Sequence, residues 1–214
     1  MIISESLSLY IRSLIPEAKE PLNSMEKDAL ADGVPIIRKD MQSFLRVLIE
    51  TLRPENILEI GCAVGYSGCL MLLCGRSDSH LTTIENYEPR FAKAEANFAK
   101  AAASDRVTFL KDDAEKVLPL LDEQYDFIFM DGPKGQYINY FDDIMRILKP
   151  GGVLISDNVL DNGDIALSRF AVRRRDRTIH KRMREYLYTL THDERLQSCV
   201  LPVGDGALMS VRKI

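Results

Sequence analysis

Short, mostly apolar runs alternate along the chain with longer stretches whose apolar residues recur every three or four positions. The runs fall at 57–60, 81–85, 106–110, 125–130 and 152–156, and the helical stretches between them at 89–103, 114–121 and 141–148. Strands apolar on both faces and joined by helices predict a parallel sheet covered on both sides. Three helices come first. In 4–14 the residues Leu7, Tyr10, Ile11 and Leu14 share one face and Pro16 ends the element; 21–31 stops at Gly33. After the extended Val34-Pro35-Ile36-Ile37, the stretch 38–52 presents Met41, Phe44, Leu45, Leu48 and Ile49 together. These helices form either a cap and association surface or simple packing on the sheet edge. At the other end a basic helical stretch leads to a strand at 198–201, the turn Gly204-Asp205-Gly206 and a last strand at 207–212, an antiparallel hairpin. The expectation is one α/β domain over 1–214 with a seven-stranded, mostly parallel sheet, 1–52 forming a helical cap and 53–214 the core.

Composition narrows the class. With 46% hydrophobic and 28% charged residues in 214, the chain is long enough to bury a full sheet-and-helix core. A net charge of -4 does not advertise nucleic-acid binding, so any basic patch must be local. Cys62, Cys69, Cys74 and Cys199 form no Cys-x-x-Cys pair, which predicts reduced thiols. His80, His180 and His192 lack zinc spacing. No apolar run is long enough for a bilayer, and Met1-Ile2-Ile3 leads directly into Ser4 and Glu5 rather than into a signal peptide. A cytoplasmic protein without membrane association is expected.

Ligands of open α/β sheets bind outside the carboxyl ends of the strands, so the polar residues there carry the chemistry. The first strand ends Glu59-Ile60-Gly61-Cys62-Ala63-Val64-Gly65. A dinucleotide fingerprint would need Gly-x-Gly-x-x-Gly; here an acid stands in the strand end, which would repel a pyrophosphate and suit a cationic ligand. Glu85 ends the second strand, where a carboxylate can accept both ribose hydroxyls or merely face solvent. The fourth strand ends in Asp131, with Lys134 a short turn further on, and the fifth in Asp157-Asn158. Two carboxylates and an amide carbonyl make a hard-oxygen half-shell suited to Mg²⁺. Without a cation such close aspartates would repel, and one would keep its proton. Lys134 can orient or deprotonate a substrate hydroxyl.

The set Glu59-x-Gly61-x-x-x-Gly65-Tyr66-Ser67, Glu85, Asp131-x-x-Lys134 and Asp157-Asn158 resembles the cation-dependent class I S-adenosylmethionine (SAM) O-methyltransferases of the catechol and caffeoyl-CoA type. The resemblance covers the chain from about Pro35 to the C-terminus and implies their Rossmann-like fold. It implies that Asp131, Asp157 and Asn158 bind the metal and that Lys134 is the general base, with Asp131 beside it at the reacting centre. It further implies that Glu85 holds the SAM ribose and that Glu59 and the loop Gly61, Gly65, Tyr66 and Ser67 hold its methionine end. Asp113 with the backbone of Ala114 would take the adenine, although capping of the next helix alone could explain Asp113.

Between 169 and 184 stand Arg169, Arg173, Arg174, Arg175, Arg177, Lys181, Arg182 and Arg184 against only Asp176 and Glu185 just beyond. Such a run is often a solvated helix face. Following the Asp157-Asn158 strand, it would also suit the phosphates of a polyanion. With Ile37-Arg38 and Asp131-Gly132-Pro133-Lys134-Gly135-Gln136-Tyr137, the stretch Arg173-Arg174-Arg175-Asp176-Arg177 is similar to bacterial tRNA 5-hydroxyuridine methyltransferases. That resemblance implies a tRNA anticodon loop as partner, contacts through Ile37, Arg38, Arg173, Arg174, Arg175 and Arg177, and a homodimer through the early helices. A hydroxyl beside the C4 carbonyl of uracil presents two neighbouring oxygens to a metal, as a catechol does. The alternative is a small catechol or acyl-CoA-linked phenol as substrate. A SAM-binding protein without catalysis is disfavoured because Lys134 and all three metal-ligand candidates are present.

Overall fold

The computed structural model describes residues 4–214; Met1-Ile2-Ile3, on which the reading of the chain start rests, lie outside them. Among the described residues, strands β1 (Asn56–Ile60), β2 (His80–Ile84), β3 (Val107–Leu110), β4 (Tyr125–Met130), β5 (Leu148–Ser156), β6 (Leu196–Leu201) and β7 (Ala207–Arg212) form one sheet. Its order is β3-β2-β1-β4-β5-β7-β6. The first five run parallel, and β7 is antiparallel to both β5 and β6, as the hairpin predicted.

Side chains alternate across a strand, and here both sets are apolar. Ile57, Phe127, Phe129, Val153 and Ile155 face one core, while Leu58, Ile60, Ile128, Met130 and Leu154 face the other. The first core is closed by α2 (Leu22–Ala31), α3 (Lys39–Leu52), α4 (Tyr66–Cys74) and α5 (Phe91–Lys100). The second is closed by α6 (Ala114–Val117), α7 (Tyr137–Ile147) and α8 (Arg177–His192). Most of the N-terminal region thus covers one face of the sheet through α4 rather than its edge. The exception is α1 (Glu5–Ser13), which buries none of its residues.

Several boundaries differ from the sequence expectation, each for a local reason. Helix α7 starts at Tyr137 rather than residue 141, because Tyr137 is fully buried and its hydroxyl donates to the carbonyls of Met130 (3.1 Å) and Asp157 (3.2 Å). Pro89 lies in a 3₁₀ turn, Glu88–Arg90, and α5 begins only at Phe91. The basic stretch is not helical until Arg177. Before it the chain passes through a 3₁₀ turn at Arg174–Asp176, and Arg177 folds back to donate to the carbonyls of Val172 (3.2 Å) and Phe170 (3.4 Å).

From β1 the chain builds outward to β2 and β3, then returns to place β4 on the other side of β1. At this reversal the connections leave on opposite faces and open a crevice at the carboxyl ends of the strands. The site lies there.

Candidate active site

Strands β1 and β4 meet at Gly61. Its N–H donates to the Ile84 carbonyl at 2.9 Å, while the Asp131 N–H donates to the Ile60 carbonyl at 2.9 Å. Gly61 has φ +91°, and a Cβ built on it would stand 2.5 Å from the Asp131 carbonyl oxygen. Only glycine allows both the conformation and the approach.

Two adjoining cavities open over this point. The larger, 330 Å³, is lined by Ile37, Arg38, Gly61, Glu85, Asp131, Asp157 and Asn158, among others. The second, 260 Å³, shares Gly61, Glu85 and Asp131 and adds Asn86, Tyr87, Asp113, Ala114 and Tyr140. Glu85 therefore sits where they join. Its Oε2 accepts from the Ala63 N–H at 2.8 Å, and its Oε1 from the N–H groups of Asn86 (3.1 Å) and Tyr87 (2.9 Å). Backbone donors hold the carboxylate in place and leave lone pairs for a diol. Asp113 is the helix cap that the sequence suggested. It caps α6 by accepting from the Glu115 N–H (2.9 Å), accepts from Asn86 Nδ2 (3.1 Å), and lines the second cavity beside Ala114.

Asp131, Asp157 and Asn158 converge in the larger cavity. Asn158 Nδ2 donates to Asp131 Oδ1 at 3.0 Å, and the Asn158 N–H donates to Asp157 Oδ1 at 2.7 Å. Burial, then the charge of Glu59, raise the Asp131 carboxyl above its ordinary range; burial, then Asp131, raise Asp157. Among the described residues no lysine or arginine forms an ion pair with either. Arg38 is engaged by Asp205 Oδ2 at 2.7 Å, and Lys134 Nζ by Asp161 Oδ1 at 3.1 Å. Among the described residues no three His, Cys, Asp or Glu side chains gather as a metal-holding group, so a cation here would need the amide of Asn158 beside the two carboxylates. The donor chemistry fits a hard divalent cation, which would offset the repulsion that burial now leaves uncompensated.

Other predicted residues lie elsewhere. Glu59 is fully buried beneath α4, where its Oε1 accepts from Ser67 Oγ (2.5 Å) and its Oε2 from Thr83 Oγ1 (2.7 Å). Burial pushes its carboxyl up to about 7. Tyr66 donates to Gln42 Oε1 at 2.9 Å within the core, and Gly65 begins α4 against Phe98. None of Glu59, Gly65, Tyr66 and Ser67 lines either cavity: three of the side chains point into the protein and hold the loop from behind. The basic residues also divide. Arg177 serves the backbone as described, Arg182 donates to the Gly135 carbonyl (3.0 Å) and Arg184 to that of Ile165 (3.2 Å). Arg173, Arg174 and Arg175 are exposed, and among the described residues only Arg175 of the three has an acidic partner, Asp176 at 3.6 Å. They line neither cavity; the turn after Asp131 is tied instead to the loop after β5 through Lys134–Asp161 and to α8, which follows these arginines, through Gly135–Arg182.

Three cavity or near-cavity residues were not foreseen. Arg90 lines both cavities with its guanidinium over the Tyr87 ring, 5.0 Å from the centroid. Asp205 lines the larger cavity, although the sequence marked it only as a turn residue. Asp161, which holds Lys134, carried no sequence signal beyond being an acid in a loop.

A sheet of this topology, with paired acids at the ends of β4 and β5, defines a class of group-transfer enzyme. The chain belongs to the O-methyltransferase family, whose model matches residues 17–214, and is a SAM-dependent O-methyltransferase. A caffeoyl-CoA O-methyltransferase of Citrus natsudaidai is 33% identical over 224 residues, spanning 98% of this chain and 95% of that protein. Caffeoyl-CoA O-methyltransferase 1 of Arabidopsis thaliana is 34% identical over 203 residues, 88% of this chain and 72% of that one. Among solved structures, a candidate caffeoyl-CoA O-methyltransferase from Staphylococcus aureus superposes with TM-score 0.88 at 27% identity, covering 97% of this chain and 100% of that chain. The Bacillus cereus O-methyltransferase in complex with SAH shares the fold, with TM-score 0.84 at 24% identity and 97% coverage of each. No helix of the described residues is long and apolar enough to cross a membrane.

Proposed function

We propose that this enzyme methylates the 5-hydroxyl of 5-hydroxyuridine at the wobble position of tRNA, giving 5-methoxyuridine, with SAM as donor and Mg²⁺ or another divalent cation in the site. The observation that carries the substrate reading is the exposed edge Arg173-Arg174-Arg175, where Arg173 and Arg174 have no acidic partner among the described residues. The helix that follows it, α8, meets the turn that bears Lys134 through Arg182 and the Gly135 carbonyl. Exposed guanidinium groups free of acidic partners suit the phosphates of an anticodon loop, whose unstacked bases can enter a pocket.

On this reading Glu85 holds the ribose of SAM, and Asp113 with Ala114 bounds the adenine end. Asp131, Asp157 and Asn158 hold the cation, with Asn158 turning its amide over so that the oxygen now facing away from Asp131 can ligate. Bound there, a divalent cation would neutralise the two aspartates and lower the pKa of a neighbouring hydroxyl. Lys134, once it has left Asp161 and given its own proton to solvent, is a neutral amine that can take the hydroxyl proton, while the surrounding residues hold the oxygen in line with the methyl group. Ile37 and Arg38 bound the substrate side of the cavity. The enzyme works as a homodimer through α1, a reading supported by the exposure of Leu7, Leu9, Tyr10 and Leu14 there.

A second reading, methylation of a small catechol or caffeoyl-CoA-type phenol, is favoured by the names of the relatives at about a third identity. One experiment separates the two. Labelled SAM and Mg²⁺ are supplied with total tRNA from a strain lacking the gene, and separately with a catechol and with caffeoyl-CoA. The tRNA reading requires label in 5-methoxyuridine, lost with chelator and on replacing Arg173, Arg174 and Arg175 by Glu. Label confined to the phenols would establish the second reading.

A further inference from the structure

Asp205 lines the larger cavity with one carboxylate oxygen paired and the other not. Its Oδ2 accepts from Arg38 at 2.7 Å, and its Oδ1 is buried without a hydrogen-bond partner among the described residues. A buried acceptor with no donor costs free energy, which the carboxylate would recover by turning this oxygen into the cavity towards a ligand donor. The residue is also held rigidly beside the reacting centre. Asp205 O accepts from the Leu160 N–H at 3.0 Å, Gly206 O from the Val159 N–H at 2.9 Å, and the Gly204 N–H donates to Asp40 Oδ2 at 3.2 Å. The hairpin turn is thus tied to the two residues that follow Asp157-Asn158. A Cβ on Gly206 would stand 2.3 Å from Leu160 Cγ at φ +90°, so only glycine lets the turn come so near.

We propose that Asp205 is a specificity-determining residue: its free oxygen accepts the N3–H of the uracil ring and so favours a hydroxyuracil over a benzene diol. This rests on the hydroxyuridine reading. In 5-hydroxyuracil the reacting hydroxyl and the C4 carbonyl are followed round the ring by N3–H, a donor. The corresponding position of a catechol is a C–H, which offers the carboxylate nothing. Arg38 offsets the charge of Asp205, so the oxygen can receive a neutral donor without another cation.

The substitution Asp205→Asn tests this sharply. Arg38 can only donate, so the amide must turn its oxygen to Arg38 and its NH₂ towards the position of Oδ1, placing a donor where an acceptor stood. Two anticodon stem–loops are compared, one carrying 5-hydroxyuridine and one carrying its N3-methylated form. The readouts are kcat/KM with SAM and Mg²⁺, and Kd in the presence of S-adenosylhomocysteine. Wild-type enzyme should lose about 10–100-fold on N3-methylation, mostly in KM, as for a hydrogen bond to a charged group. Asp205→Asn should lose a similar factor on the unmethylated stem–loop and little more on the methylated one. A loss relative to the wild-type enzyme as large on the methylated stem–loop as on the unmethylated one, or no discrimination by the wild-type enzyme, would overturn the assignment while leaving the tRNA reading intact. The wild-type comparison decides even where the variant fails to fold. Transfer by the wild-type enzyme to catechols alone would remove the tRNA reading and this proposal with it.

Discussion

Glu59 offers the most quantitative test of the structure. It is fully buried, its neighbours Ser67 and Thr83 are neutral hydroxyls, and no cation among the described residues pairs with it. Burial, opposed in part by those two hydrogen bonds, pushes its carboxyl from an ordinary 4.5 to about 7. An acid whose pKa is raised in the fold binds its proton more tightly there than in the unfolded chain. Its contribution to stability is complete below the unfolded value and is lost as the pH rises through the folded one. Between 4.5 and about 7 the loss amounts to about 3 kcal/mol at 1.36 kcal/mol per pH unit. Glu59→Gln removes the titration and keeps the shape, and both hydroxyls can reverse their roles to suit an amide. Urea denaturation from pH 4.5 to 8.5 should therefore show the variant gaining on the wild type as pH rises, by about 3 kcal/mol at the alkaline end. Because Glu59 lines neither cavity, the affinity for S-adenosylhomocysteine should change by only a few-fold. Parallel stability curves would refute the burial argument, and loss of ligand binding in a folded variant would refute the placement of Glu59 behind the loop.

Asp157→Ala should abolish methyl transfer yet leave S-adenosylhomocysteine binding, measured by calorimetry, within about threefold, since Glu85 and Asp113 are untouched; full activity in the presence of chelator would sink the metal reading. Gly61→Ala should lower the thermal midpoint and weaken cofactor binding together, because the φ of +91° alone costs about 1–2 kcal/mol before the clash with Asp131 is counted; an unchanged midpoint would mean that β1 and β4 meet less closely. Replacing Arg173, Arg174 and Arg175 by Glu should flatten the salt dependence of stem–loop binding by about two in log–log slope, at about 0.7 per phosphate contact. An unaltered slope would return these arginines to a solvated surface.

The convergence of Asp131 with Asp157-Asn158 was legible because it follows from local rules. Apolar runs alternating with helices make neighbouring parallel strands, and residues ending such strands must meet at one edge. Glu85 and the helix cap at Asp113 followed from the same register. Tyr66 and Ser67 show where that reasoning stops. A strand–Gly loop–helix pattern says that a ligand loop exists, but which side chains face the ligand depends on how α4 turns against Phe98, Gln42 and Glu59. The arginines show a related limit. Their number was plain in the sequence, whereas the capture of Arg177, Arg182 and Arg184 by backbone carbonyls depends on where the chain folds back after β5.

By itself the sequence determined the layers of this enzyme, the positions of its strands and the two acids at the ends of β4 and β5, because side-chain periodicity and turn residues act over a few positions. Only the tertiary structure decided what surrounds those acids. The order β5-β7-β6 brings the terminal hairpin back beside Asp157, places Asp205 in the cavity and sets Arg38 against it across the chain. Burial then raises both central aspartates. Burial and long-range contact are properties of the packed chain, and no window of the sequence contains them.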